Sequence, residues 1–176
     1  MNRSFLVAVV AGAVLAPVCQ AQDGPLAAAL KSVWTRASQN MPAAAELMPS
    51  DKFGFKPTPE QMSFGEIISH EARSNETLCN ALAGSGQTPS ESAAGESASK
   101  EELIGRLRKS FESCNEVIEH LREATLGDSI SFFGGRKATR ARAAIALAQD
   151  WADHYAQAAM YLRLNGILPP TAKPKP

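Results

Sequence analysis

Residues 99–121 read SKEELIGRLRKSFESCNEVIEHL, and their spacing decides the fold class. Ser99-Lys-Glu-Glu102 is a capping box, in which the serine hydroxyl and the glutamate carboxylate each satisfy an amide that a helix start leaves without a partner. Behind it Ile104, Leu107, Phe111, Cys114, Ile118 and Leu121 recur at alternating steps of three and four, which places them in one apolar stripe. A stripe on a single face requires other helices to cover it.

Those helices are readable on both sides. Ser63-Phe-Gly-Glu66 is a second capping box, followed by the stripe Phe64, Ile68, Ala72, Asn75, Cys79 and Leu82. An Ala-rich helix is expected over Pro25 to Leu47, with Leu26, Leu30, Val33 and Trp34 at core spacing and Pro42 as a kink point. The last and longest helix is expected from Ala138 to Asn165, stopped by Gly166 and kept from resuming by Pro169-Pro170. Between these lie the aromatic loop Asp51 to Pro59, a Gly/Ser/Ala/Glu-rich connector from Gly84 to Ala98 and a loop from Leu126 to Gly135. No segment carries a sustained strand alternation. The expectation is an all-α, four-helix bundle with long connections, one domain over residues 22–170 and a disordered tail over 171–176.

Residues 1–21 have the layout of a secretory signal, with Arg3, an apolar run from Phe5 to Val18 and a small-residue cleavage site at Cys19-Gln20-Ala21. The mature chain is therefore expected to be exported, periplasmic or secreted, with no stable membrane insertion once the signal is removed. The full sequence has 18 Lys+Arg against 18 Asp+Glu, and removal of the signal takes only Arg3, leaving 17 − 18 = −1, which argues against nucleic acid or an anionic membrane surface as partner. Cys79 and Cys114 remain. Each lies in an apolar stripe, so both sulfurs face a shared core, either bridged, as export permits, or as buried free thiols.

Chemistry concentrates in the last helix, at Asp150-Trp-Ala-Asp-His154-Tyr-Ala-Gln157. Asp150 and His154 are one turn apart on one face, where a carboxylate and an imidazole can share a metal ion or simply form a solvated pair. A third ligand must come from another helix. His70, beside the apolar stripe of the second helix, is the better candidate; His120 lies among Glu116, Glu119, Arg122 and Glu123 and is expected to face water. Gln157 and Tyr161 continue the row as orienting or packing groups, and Arg163 is placed to serve the last helix carbonyls. Glu71, adjacent to His70, is expected to point about 100° away around the helix. Glu66, one turn before His70, shares its face more closely as a proton acceptor.

Three runs of residues carry a family resemblance: Phe55-Lys-Pro-Thr-Pro59, then Phe64-Gly-Glu-Ile-Ile-Ser-His70, and finally Asp153-His-Tyr-Ala-Gln157 ahead of Tyr161-Leu-Arg-Leu-Asn-Gly-Ile-Leu-Pro-Pro170. Together they resemble the DinB family, especially its exported members, over nearly all of the mature chain. The resemblance implies an up-down-down-up bundle with a divalent metal, usually nickel or zinc, held by three histidines at one end. By position His70 and His154 match two of those histidines, and Asp150 stands where the third would be. Two His with one carboxylate is the donor set that suits Fe(II), Mn(II) or Zn(II) with open positions; equally, a shorter Asp that fails to reach leaves a degenerate site. Family members often pair through their helices, which makes a homodimer an expectation here too.

Two functions stay open. One is a metal-dependent transferase or hydrolase acting on an unidentified small molecule; characterised relatives include transferases and isomerases that use low-molecular-weight thiols, a cofactor scarce outside the cytoplasm. The other is a non-catalytic envelope module with a vestigial site. Nucleophile elbows, glycine-rich phosphate loops and Cys-x-x-Cys pairs are all missing from the sequence.

Overall fold

The computed structural model describes residues 24–85 and 98–172. The expected signal over 1–21, the connector residues 86–97 and the tail end 173–176 lie outside the described residues. Four helices dominate: α1 (Pro25–Leu47), α2 (Phe64–Ala83), α3 (Lys100–Glu119) and α4 (Arg140–Leu164). Between α3 and α4 a small antiparallel hairpin pairs β1 (Ser129–Ser131) with β2 (Lys137–Thr139).

Local chemistry sets the helix ends. Both capping boxes form, Ser63 with Glu66 and Ser99 with Glu102. Gly84 closes α2 at φ 74°, and Gly166 follows α4 at φ 73°, the left-handed conformation that favours glycine after a helix. At the other end of α4 the start falls at Arg140 rather than Ala138, because Lys137–Thr139 pair with β1 and the Thr139 hydroxyl caps the Arg142 amide. The expected loop from Leu126 to Gly135 is thus partly β-hairpin, turned by Gly134 and Gly135 at positive φ. Strands of three residues are too short to show the alternation by which strands are recognised.

Contacts along the helices give their directions. Asn75 and Cys79 of α2 meet Ser110 and Cys114 of α3, so these two run parallel. Tyr161 near the end of α4 reaches Met62 before α2, and Arg140 at its start reaches Leu82, so α2 and α4 are antiparallel. In turn, Glu46 late in α1 contacts Arg108 early in α3, while Glu123, just beyond α3, caps the first amides of α1. The order is up, down, down, up.

The stripes read from α2 and α3 are buried throughout, and Cys79 and Cys114 form a disulfide with Cα atoms 5.5 Å apart. Closing 35 residues constrains the unfolded chain by about 4 kcal/mol in the chain-entropy model. Helix α1 departs from expectation. Leu30 is buried, but Leu26 and Val33 remain 40% and 37% exposed, and the inward face is completed by Ala27, Met41, Ala44 and Ala45. Pro42 is accommodated inside the helix, which continues to Leu47.

At mid-height the core contains a polar knot. Asn75, fully buried, donates from Nδ2 to the Ser110 hydroxyl at 3.0 Å and accepts at Oδ1 from the Trp151 indole N–H at 2.6 Å. Ser110 passes its own hydrogen to the Leu107 carbonyl. Three helices are joined through one side chain, and the polar atoms at the joint are satisfied. Asn75→Ala strands the indole N–H in a dry site, while the Ser110 hydroxyl keeps its bond to the Leu107 carbonyl; the expected loss is about 1–3 kcal/mol, read as a lower urea midpoint. A midpoint unchanged within error contradicts that role.

Candidate metal centre

His70 on α2 and Asp150 and His154 on α4 come together. One donor atom from each can be chosen so that all three lie within 4.8 Å of one another. Asp150 Oδ1 is 3.4 Å from His154 Nε2, and the two imidazole rings meet edge to face with centroids 4.6 Å apart. Metal bonds of about 2.1 Å hold donors roughly 3.0–3.4 Å apart at octahedral or tetrahedral angles, so the widest separation in the trio has to close by up to about 1.8 Å for all three to share one ion. The antiparallel packing of α2 on α4 makes this convergence, since Trp151, next to Asp150, is tied to Asn75, five residues beyond His70.

Unpartnered polar atoms mark the same place. Asp150 Oδ2 and His154 Nδ1 are buried without a hydrogen-bond partner in the protein, and so are both carboxylate oxygens of Glu71. Glu71 has no exposed surface. Burial, and then the charge of Asp150, push its pKa up to about 8, with His154 pulling the other way. The expectation that Glu71 points away from His70 holds for angle, yet that direction is not solvent. Helix α2 packs against both α3 and α4, so a residue 100° from His70 still faces the interior. Glu66 is overturned as a proton acceptor: the Ser63 amide and hydroxyl, with Lys56 at 3.2 Å, hold its carboxyl down at about 2.

The two histidines differ. The hydrogen bond that His154 donates to the Asp150 carboxylate raises the His154 pKa against the cost of burial, helped by the charges of Asp150 and Glu71 and by the nearby Gln157 side chain. His70 is lowered, first by burial and then by the positive charges of His154 and Arg73, against the pull of Asp150. The Arg73 guanidinium lies 3.3 Å from His70 Nδ1, and the Ser74 hydroxyl 3.3 Å from Nε2. A guanidinium only donates, so in the neutral ring Nδ1 accepts from Arg73 and Nε2 carries the hydrogen towards Ser74. An ion bound at either nitrogen breaks the Arg73 contact, because it takes Nδ1 directly or forces the hydrogen onto it. These neighbours sit three and four residues after His70, the spacing at which helical side chains meet, but nothing in the sequence favours them over solvent.

Other residues singled out in the sequence fall into place around the centre. Gln157 supports His154, and Tyr161 is structural, its hydroxyl on the Met62 carbonyl and its ring edge against Phe55 at 5.8 Å. Arg163 reaches back to the Ala159 carbonyl. His120 is exposed, with Nδ1 against the Glu116 carbonyl at 2.8 Å, and takes no part. Beside His70 a cavity of about 520 Å³ is walled by Phe53, Met62 and Leu103, with Lys56, Ser69 and Arg73 as polar lining.

The donor set and the orphaned buried atoms fit a divalent ion: two imidazoles and a carboxylate from facing helices, plus an acid sealed behind them. Solved structures share the architecture. A DinB-like protein of Bacillus subtilis aligns over 84% of this chain and 99% of its own, at 21% identity and a TM-score of 0.64. A DinB-like protein of Bacillus cereus aligns over 80% and 93%, at 15% identity and a TM-score of 0.65. A conserved protein of Enterococcus faecalis aligns over 82% and 98%, at 18% identity and a TM-score of 0.61. A comparison with curated protein sequences finds no match. The family model described as the DinB superfamily matches residues 34–158, a span that takes in all three donors, and the chain belongs to that superfamily.

Proposed function

We propose that this protein is an exported, metal-dependent member of the superfamily that holds one divalent ion between His70, Asp150 and His154 and acts on a small molecule as a transferase or hydrolase. The observation that carries the reading is the convergence of those three donors from two helices, with unpartnered buried atoms around them. A carboxylate in place of one imidazole favours Zn(II), Fe(II) or Mn(II). An ion there supplies Lewis acidity to a substrate oxygen. The chain's own contribution is the rigid pairing of α2 with α4, the Asp150 and Gln157 contacts that orient His154, and a cavity against His70 for substrate. Glu71, sealed beside Asp150 and His154, is the acid available to hold a proton. Export is supported by the Cys79–Cys114 disulfide, a bond that persists in oxidising compartments.

A second reading, a non-catalytic module with a degenerate site, is favoured by one observation: both ring nitrogens of His70 already have partners in Arg73 and Ser74. Elemental analysis of protein isolated from its exported compartment separates the two. The enzyme reading expects about one divalent ion per chain, lost in Asp150→Ala and in His154→Ala while the helical circular-dichroism signal is kept. Because Arg73 competes for His70 and repels cations, Arg73→Gln is expected to tighten zinc several-fold in a chelator competition. A metal-free native protein that takes up none when zinc is supplied leaves the second reading.

Glu71 provides a pH test on metal-free protein. Its folded pKa, about 8, is raised above the ordinary 4.5, so the folded state binds the proton more tightly and its contribution to stability is fully present below pH 4.5. That contribution is lost progressively as the pH rises through about 8. Unfolding midpoints measured from pH 4.5 to 8 should therefore fall for the natural chain relative to Glu71→Gln. Parallel profiles for the two proteins contradict the burial of an unpaired acid.

A further inference from the structure

A second concavity lies between α1 and α4 and includes none of the metal-centre residues. It has a volume of about 470 Å³, within the range of small-molecule sites. Its floor is core: Leu30, Leu121, Leu126 and Trp151 are buried there. Its rims are Leu26, Val33 and Ile145, left 40%, 37% and 47% exposed. The facing positions that a longer side chain would close are alanines, among them Ala37, Ala144 and Ala148. This explains why Leu26 and Val33, at core spacing in the sequence, stay partly in solvent: nothing from α4 covers them.

The groove is electrically polarised along its length. At the Leu26 end the Glu123 carboxylate accepts the amides of Leu26 and Ala27 at 3.1 Å each. Ten residues further along α1, about 15 Å at helical rise, stands Arg36, the only charged side chain in the lining among the described residues. Arg36 is exposed and makes no hydrogen bond or ion pair among the described residues. Asn40 and Gln149 line the groove with it. An apolar channel with an unpaired guanidinium on its lining, and a carboxylate just outside that lining at the other end, complements a ligand that is apolar at one end and anionic at the other.

We propose that the α1–α4 groove is a binding site for a single-chain anionic amphiphile, a fatty carboxylate, with its tail over Leu26, Leu30 and Val33 and its carboxylate on Arg36. Arg36 sets the direction: it keeps the head at the solvent rim, where its remaining hydration is not lost, and leaves the apolar end of the groove to the tail. The site stands apart from the proposed metal centre, and the two succeed or fail separately.

Calorimetric titration of the purified chain with dodecanoate, dodecan-1-ol and dodecyltrimethylammonium, all below micelle-forming concentrations, tests the proposal. Dodecanoate should bind one per chain and in preference to the alcohol and the cation. Arg36→Gln, at an exposed position, should weaken dodecanoate by about tenfold and erase its advantage over the alcohol. Ile145→Lys should weaken dodecanoate and the alcohol alike by wetting the rim, and neither variant should alter metal content. The proposal is overturned by an absence of saturable dodecanoate binding, by equal binding of all three probes, or by a dimer in sedimentation equilibrium that Ile145→Lys converts to monomer. That last result would assign the groove to a second copy of the chain.

Discussion

The hydrogen bond from the Trp151 indole to the Asn75 side chain is the constraint from which the site follows. It joins α2 to α4 in the middle of the core, while the other end of the same amide holds Ser110 on α3. A slip of one turn between α2 and α4 would break it and leave buried polar atoms unpaired at a cost of about 1–3 kcal/mol each. The disulfide one turn further along α2 resists the same slip against α3. With the register held, His70 has Asp150 and His154 opposite it. Apolar packing alone tolerates small shifts of one helix on another; a satisfied buried amide does not.

Just beyond that knot the interior changes character. Where Asn75 has partners for its polar groups, Glu71, Asp150 and His154 present four buried atoms that have none within the protein. At about 1–3 kcal/mol apiece, such atoms weigh heavily against a domain stability of roughly 5–15 kcal/mol. Two polar clusters lie about one turn apart in the same core: the first is satisfied within the protein, and the second, which is not, is where the proposed ion is assigned. A divalent cation suits the second, since it offsets the carboxylates and uses the imidazole lone pairs. Arg73 holds His70 from outside, where its exposed side chain is free to swing away.

Much of the architecture was legible in the residues because it rests on short-range rules. The two capping boxes and the apolar steps of α2 and α3 follow from helical geometry, and they carry Cys79 and Cys114 to one interface. The donor trio was legible in part: Asp150 and His154 from spacing, and His70 from its place beside a stripe and from the family likeness. Most of what escaped depends on neighbours. Glu71 is the exception: it was placed only by its angle from His70, although its steps of three and four from Ile68 and Asn75 put it within the stripe that α3 and α4 cover. Leu26 and Val33 read as core by period, but α4 presents alanines opposite them. The hairpin over Ser129–Thr139 is set by pairing across a glycine turn, and its strands are too short to declare themselves.

The most direct test is diffraction from crystals grown with zinc, collected on both sides of the zinc absorption edge. One anomalous peak about 2.1 Å from a nitrogen of His70, an oxygen of Asp150 and a nitrogen of His154, with Arg73 turned away from the ring, is the result this account predicts. A map with no peak among these three side chains, and with Arg73 still bonded to His70, contradicts it.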